Sequence, residues 1–238
     1  MLPIKDDVPS HSVPVVTVGL IAANVLVFLY QASLGLGPDP GAARAAQAFI
    51  LEFGVVPCRI TGACLLADDF PPPVVTIFTS MFVHGGLFHV GGNMLYLWIF
   101  GDNVEDTLGH LRFTAFYLLA GVAAALAQTV VSPQSRIPMV GASGAVSGVL
   151  GAYLLLFPYA RILTLLVFGF FVRVVYVPAI VVLGFWIVVQ FINSVFTLGV
   201  SAAGRGETGG AAWFAHIGGF LAGIVLLFLM RPKRSARL

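Results

Sequence analysis

Long segments almost without charge recur along this chain, and they fix its solvent before any other feature is considered. Charged residues make up 9% of the sequence and hydrophobic residues 59%, whereas a soluble domain carries about 25% charged residues. The chain is therefore expected to be an integral membrane protein, with the lipid bilayer as its environment. A span needs roughly 17–25 mostly apolar residues. Runs that meet or approach this lie at 13–34, 87–104, 113–131, about 141–158, 175–198 and 211–230. The region 161–200 admits one span or two. Only eleven uncharged residues separate Arg161 from Arg173, too few to cross, so 162–172 reads as a short interfacial element and 175–198 as one span. The expected fold is all-α, a polytopic six-helix membrane bundle over residues 13–230, flanked by a short N-terminal segment 1–12 and a basic tail 231–238.

The first connection, 35–73, is long and apolar in patches, notably Phe49-Ile50-Leu51 and Cys64-Leu65-Leu66, which suits an interfacial position. Its two cysteines, Cys58 and Cys64, form a disulfide if the loop faces an oxidising space and otherwise stay as buried thiols. Residues 1–12 lack the basic, then apolar, then small-residue pattern of a cleaved signal peptide, so the first run is expected to stay as an anchor. Six spans bring both termini to one side. With the termini inside, Lys5, Arg112, Arg161, Arg173, Arg231, Lys233, Arg234 and Arg237 face inward, and only Arg44, Arg59, Arg136 and Arg205 face outward. The positive-inside rule therefore predicts cytoplasmic termini. Ten arginines against two lysines, abundant Ala and Gly, and no visible organelle-targeting extension suit a bacterial plasma membrane. A net charge of +2, thinly scattered, points away from nucleic acid.

The polar residues inside this apolar background carry the functional signal. Ser143 stands between Gly141 and Gly144 where a polar loop turns into the fourth span. The first N–H groups of a helix are unpaired and point at whatever occupies its mouth, a suitable place for a nucleophile. Serine is also a favoured N-cap, so this stretch alone supports either reading. His216 lies near the start of the sixth span, and ionisable groups within spans are expensive enough to be functional by default. One intervening span makes the fourth and sixth helices parallel and sets Ser143 and His216 at the same outer depth. His216, Gly219 and Gly223 share one helix face, and Gly144, Gly148 and Ala152 repeat every four residues on the other helix. These are small-xxx-small ridges that let membrane helices approach backbone to backbone.

On the second span, His89 and Asn93 are four residues apart and share a face. At that depth they could donate hydrogen bonds to a developing oxyanion, or could serve only as helix–helix hydrogen bonds. No Asp or Glu lies in the deep core: Asp102, Glu105 and Asp106 fall at the inner end of the second span and Glu207 in the last outer loop. A metal site would want such a carboxylate, so neither metal nor cofactor is expected. For the same reason Ser143 and His216 would act as a dyad without an acidic third member. No span shows paired charges or a broken midplane helix, which disfavours a small-solute transporter.

Taken together these motifs resemble the rhomboid intramembrane serine proteases. Gly141-Ala142-Ser143-Gly144 is similar to their Gly-x-Ser-Gly, and the run from His216 to Gly223 to their His-x-x-Gly-x-x-x-Gly. Phe78-Thr79-Ser80-Met81-Phe82-Val83-His84, with His89 and Asn93, resembles their approach to the second helix. Gly101, Glu105, Gly109, Arg112 and Tyr117 also fall where family members have them. The resemblance implies a six-helix rhomboid-like bundle that cleaves transmembrane protein substrates near the outer membrane face. It implies Ser143 as nucleophile, His216 as general base and then acid, and Asn93, His89 and the Ser143 N–H as the oxyanion hole. The fifth span and the loop before the sixth would gate the substrate. Two features depart from the best-studied branch: the first loop has no Trp-Arg pair, and Ser147 replaces a tyrosine that packs on the histidine. Phe220 or Trp213 would then have to orient the ring. An outward-open cavity lined by His89, Asn93, Ser143, Ser147 and His216 is expected. The alternative within the same fold is a non-catalytic membrane chaperone or quality-control factor; such relatives typically lack the serine or the histidine.

Overall fold

Each apolar run forms a helix, with ends shifted by a few residues from those expected. The computed structural model describes residues 1–36, 41–64, 70–169, 171–202 and 212–232. A strand β1 (Leu2–Lys5) precedes helix α1 (Val15–Leu34). The first connection folds into α2 (Ala42–Phe53), α3 (Pro57–Ile60) and α4 (Pro73–Thr79). Helices α5 (Leu87–Leu108), α6 (His110–Val131) and α7 (Ser143–Leu156) follow, then strands β2 (Arg161–Phe168) and β3 (Phe171–Pro178), and finally α8 (Ala179–Ala202) and α9 (Trp213–Met230). The tail at 233–238, the loop at 203–211 with Glu207, and parts of the first connection at 37–40 and 65–69 lie outside the described residues.

The fold is that of a helical polytopic membrane protein. Among the described residues, four helices, Val15–Leu34, His110–Val131, Ala179–Gly199 and Trp213–Met230, are long and apolar enough to cross a membrane. The count of six is thus not met by length and hydropathy alone. α7 has only 14 residues, and α5 is diluted by His89, Asn93, Asp102 and Asn103. These two helices carry the serine and the polar pair singled out from the sequence. Large apolar side chains such as Leu26, Leu29, Phe88, Phe191, Phe196 and Phe228 are exposed on the outer surface. In water such a surface would drive aggregation; in lipid it is the solvated face.

The all-α expectation needs one correction. Residues 161–178 form a β-hairpin, Arg161 opposite Pro178 and Phe168 opposite Phe171, with β1 added as a third antiparallel strand. The run is rich in Val, Ile, Leu and Thr, which favour strands, and it reverses through Gly169 at φ 57°. The fifth span accordingly begins at Ala179, after Pro178 ends the strand, and not at 175. Residues 1–12 are packed onto this sheet and onto the helix ends beside it. Asp7 accepts hydrogen bonds from the Arg161 N–H and guanidinium, each at 2.8 Å. Tyr153 donates to Asp6 at 2.6 Å.

α7 is the central element. Every residue from Ala145 to Tyr153 is buried, between α5, α6 and α9. Phe100 on α5 packs edge-on against Tyr153 with ring centroids 4.8 Å apart, and Phe113, Phe116 and Tyr117 of α6 are fully enclosed. The small-residue ridges meet: a Cβ on Gly219 would strike the Gly144 carbonyl, and one on Gly223 the Gly148 carbonyl. On their other side Gly144 and Gly148 face the methyls of Ala124 and Ala120 on α6. Three helices therefore pack through backbone and methyl groups at this level.

Two polar devices hold the periphery. Buried Glu105 accepts from the Val16 and Thr17 N–H groups and the Thr17 hydroxyl, at 2.9, 2.7 and 2.7 Å, satisfying orphan donors at the start of α1. Its Oε1 also lies 2.6 Å from His110 Nδ1. On the opposite side the first connection is tied to the loop before α7. Val55 and Met139 exchange backbone hydrogen bonds, and the Cys58 N–H donates to the Ser135 carbonyl. Cys58 and Cys64 are joined as a disulfide, which resolves the two readings left open by the sequence.

Candidate active site

Ser143 is the first residue of α7, reached through Gly141 and Ala142. Gly141 has φ 117°, a conformation that side chains avoid, and its N–H donates to the Ser80 carbonyl at 2.8 Å. A Cβ there would also lie 2.6 Å from His89 Nε2 and 3.3 Å from Asn93 Nδ2. Glycine is needed at this position on both counts. The Ala142 N–H reaches His84 Nε2 at 3.4 Å. His84 is fully buried, and its other ring nitrogen lies 3.3 Å from the Phe82 carbonyl. The approach to Ser143 is thereby fixed by backbone bonds and one imidazole.

His216, one turn into α9, places Nε2 at 2.8 Å from Ser143 Oγ. Its Nδ1 lies 2.7 Å from Gln190 Oε1 on α8. Trp186 and Trp213 stand beside the ring, at centroid distances of 6.0 and 6.1 Å, the second edge-on. The structure thus brings together the two residues singled out from the sequence, 73 positions apart. Of the two suggested orienters, Trp213 contacts the ring, while Phe220 stacks on Trp186 at 6.2 Å.

His89 and Asn93 project from α5 toward Gly141. The Gly85 N–H donates to His89 Nδ1 at 3.3 Å, so a neutral His89 carries its proton on Nε2, the nitrogen nearest Gly141. Asn93 is buried and its Nδ2 has no hydrogen-bond partner among the described residues. An unpaired buried amide costs roughly 1–3 kcal/mol, and one left open beside the Ser143 hydroxyl has the character of a donor waiting for an acceptor. A cavity of about 860 Å³ opens onto Ser143, His216, His89 and Asn93, with Trp186, Trp213 and Met139 among its other walls. Ser147, expected in this lining, is absent from it. It is fully buried and donates its hydroxyl to the Ser143 carbonyl one turn back, at 2.6 Å.

Gln190, Trp186 and His84 were not assigned roles from sequence. An amide within the apolar helix α8 was the available signal for Gln190, since polar groups within spans are seldom idle.

A serine hydroxyl bonded to an imidazole, beside an amide donor left open among the described residues and a cavity that reaches both, defines the candidate site of a helical polytopic membrane protein. The rhomboid domain family model matches residues 71–233, and the chain belongs to the rhomboid family. It is 38% identical over 103 residues to Rhomboid protein 1, mitochondrial, of Saccharomyces cerevisiae, covering 42% of this chain and 30% of that protein. It is 42% identical over 78 residues to Rhomboid protease GluP of Bacillus subtilis, covering 33% and 15%. Rhomboid-like protein 11, chloroplastic, of Arabidopsis thaliana is 31% identical over 168 residues, covering 66% and 53%. The matches thus span about half or less of these relatives' lengths.

Proposed function

We propose that this chain is an intramembrane serine endopeptidase that cleaves transmembrane segments of other membrane proteins. The observation that carries the reading is the 2.8 Å contact between Ser143 Oγ and His216 Nε2 at the mouth of a buried helix. His216 Nε2 takes the Ser143 proton as the hydroxyl oxygen attacks a substrate carbonyl carbon. The carbonyl oxygen becomes an oxyanion, stabilised by the Asn93 amide, His89 Nε2–H and the Ser143 N–H. His216 then returns the proton to the leaving amine nitrogen, the C–N bond breaks, and an acyl-serine results. Water entering through the cavity repeats the sequence and frees the carboxylate.

A substrate helix hides its carbonyls in its own hydrogen bonds, so cleavage favours segments with Gly, Pro or small residues near the cut. Residues 13–230 form the membrane-embedded unit in this reading. The Arg/Lys distribution favours cytoplasmic termini in a bacterial plasma membrane. The Cys58–Cys64 disulfide, whose Cys58 directly follows Pro57 of the cavity wall, supports a site that faces an oxidising exterior.

Purified chain in detergent is tested on a single-span membrane substrate, comparing wild type with Ser143→Ala and His216→Ala. Cleavage by wild type alone, with all three proteins folded, supports the dyad. Equal cleavage by the variants refutes it. A wild type that neither cleaves nor reacts with a fluorophosphonate at Ser143 favours a non-catalytic rhomboid-like protein.

A further inference from the structure

A serine–histidine pair works only if the histidine presents its lone pair, and not its proton, to the serine. Nothing in Ser143 enforces this, because a hydroxyl both donates and accepts. The tautomer of His216 must be set at Nδ1, where the neighbour is Gln190 Oε1 at 2.7 Å. An amide could turn either way. Here its nitrogen lies 3.4 Å from the Trp186 carbonyl, one turn back on the same helix, and a carbonyl can only accept. The amide nitrogen therefore faces Trp186 and the amide oxygen faces His216. Nδ1 must then carry the proton, and Nε2 is left with the lone pair toward Ser143. Gln190 is itself buried, so water does not compete for either bond.

We propose that Gln190 is the positioning residue of this site, fixing the tautomer and plane of His216 as a carboxylate does in the acidic triads. The inference rests on the protease reading. Proton accounting is simple: Nδ1–H stays donated to Gln190 Oε1 throughout, and only the proton on Nε2 moves between Ser143, His216 and the leaving amine. A neutral amide offers the transient imidazolium a dipole and not a full charge. In return it introduces no permanent buried anion, which within a bilayer is costly. Ser147 and Phe220 contribute nothing comparable: the first is bonded to the Ser143 carbonyl, the second packs on Trp186.

The test measures kcat and KM on a single-span substrate for wild type, Gln190→Met and Gln190→Glu, with thermal unfolding of each in the same detergent. Methionine fills similar volume without an acceptor; glutamate keeps one. The expected result is a kcat lower by about 10- to 100-fold in Q190M, with KM and unfolding temperature unchanged and kcat largely restored in Q190E. If Q190M does not fold, Gln190→Asn, which withdraws the acceptor by about 1.5 Å, carries the same expectation. A kcat in Q190M within twofold of wild type overturns the proposal, as does an equal loss in Q190M and Q190E. In both cases wild type still cleaves and Ser143→Ala does not, so the protease reading stands without it. A wild type that is itself inert removes both.

Discussion

Substituting Gly219 by alanine tests whether the α7–α9 seam sets the reactive distance. The new methyl would meet the Gly144 carbonyl, its oxygen well inside contact distance and its carbon at 3.0 Å. Both belong to helix backbone, which cannot swing aside as a side chain can. Carbon contacts relax to about 3.5–4.0 Å, so the helices must part by about 1 Å at this level. His216 lies one turn away on α9 and Ser143 starts α7, so much of the displacement reaches the 2.8 Å Ser143–His216 contact. Beyond about 3.5 Å it is no longer a hydrogen bond. Overpacking of this kind costs about 1–3 kcal/mol, and misplacement by about 1 Å costs on the order of a hundredfold in rate.

The assay is kcat/KM on a single-span substrate beside thermal unfolding in detergent, with Gly19→Ala as control because a Cβ there meets nothing within 4 Å. Gly219→Ala is expected to lose about a hundredfold in rate and several degrees in unfolding temperature, while Gly19→Ala changes neither. A Gly219→Ala protein as active and as stable as the control would refute the close-approach argument.

Asn93→Ala removes the unpaired amide and is expected to lower kcat by roughly a hundredfold with KM unchanged; a loss confined to KM would assign the residue to binding. Glu105→Ala strips acceptors from the start of α1 and is expected to cost about 3 kcal/mol or more, read as a lower unfolding temperature, with Glu105→Gln milder. An unchanged midpoint in Glu105→Ala contradicts the capping role. Asp7 is held below the usual carboxylate range by the Arg161 N–H and then its guanidinium. Its contact therefore contributes stability above the unfolded value of about 4 and loses it as pH falls through the lower folded value. The unfolding temperatures of wild type and Asp7→Asn should differ at neutral pH and converge on acidification. Divergence instead would show that the sign is wrong.

Much of this architecture was legible because lipid imposes simple demands. Apolar runs of span length became helices, and polar residues within them, Ser143, His216, His89 and Asn93, converge on one cavity. What escaped was whatever hydropathy cannot distinguish. A run such as 161–178 is equally apolar as strand or span, and the third strand of its sheet, Leu2–Lys5, which pairs with 161–168, lies over 150 residues away. Gln190 escaped for a related reason. Gln190, Asn193, Ser194 and Thr197 share one face of α8 at helical spacing, but which of these polar groups meets His216 is decided by packing. Ser147 misled in the opposite direction: a hydroxyl one turn from Ser143 suggests a cavity wall, but in a helix it bonds more readily to its own backbone.

The shortness of α7 accounts for how the proposed water-dependent chemistry would fit into this fold. Fourteen residues give a helix of about 21 Å, against roughly 30 Å of hydrocarbon. If its inner end, beside the sheet, sits at the cytoplasmic interface, Ser143 starts on the order of 9 Å below the outer one. The loop leading to it must then descend through membrane depth without a helix to satisfy its backbone, which is tolerated only where protein supplies the partners. Those partners are present: Met139 exchanges bonds with Val55, the Gly141 N–H meets the Ser80 carbonyl, and the Ala142 N–H meets His84. The first connection and the segment after α4 are therefore not decoration around the bundle. They make it affordable in free energy for a serine to stand at the bottom of an open cavity, and α8 completes that site by carrying Gln190 to His216. On the proposed protease reading, a displacement of α8 that widened the cavity would break the bond between Gln190 and His216 and leave the base unset.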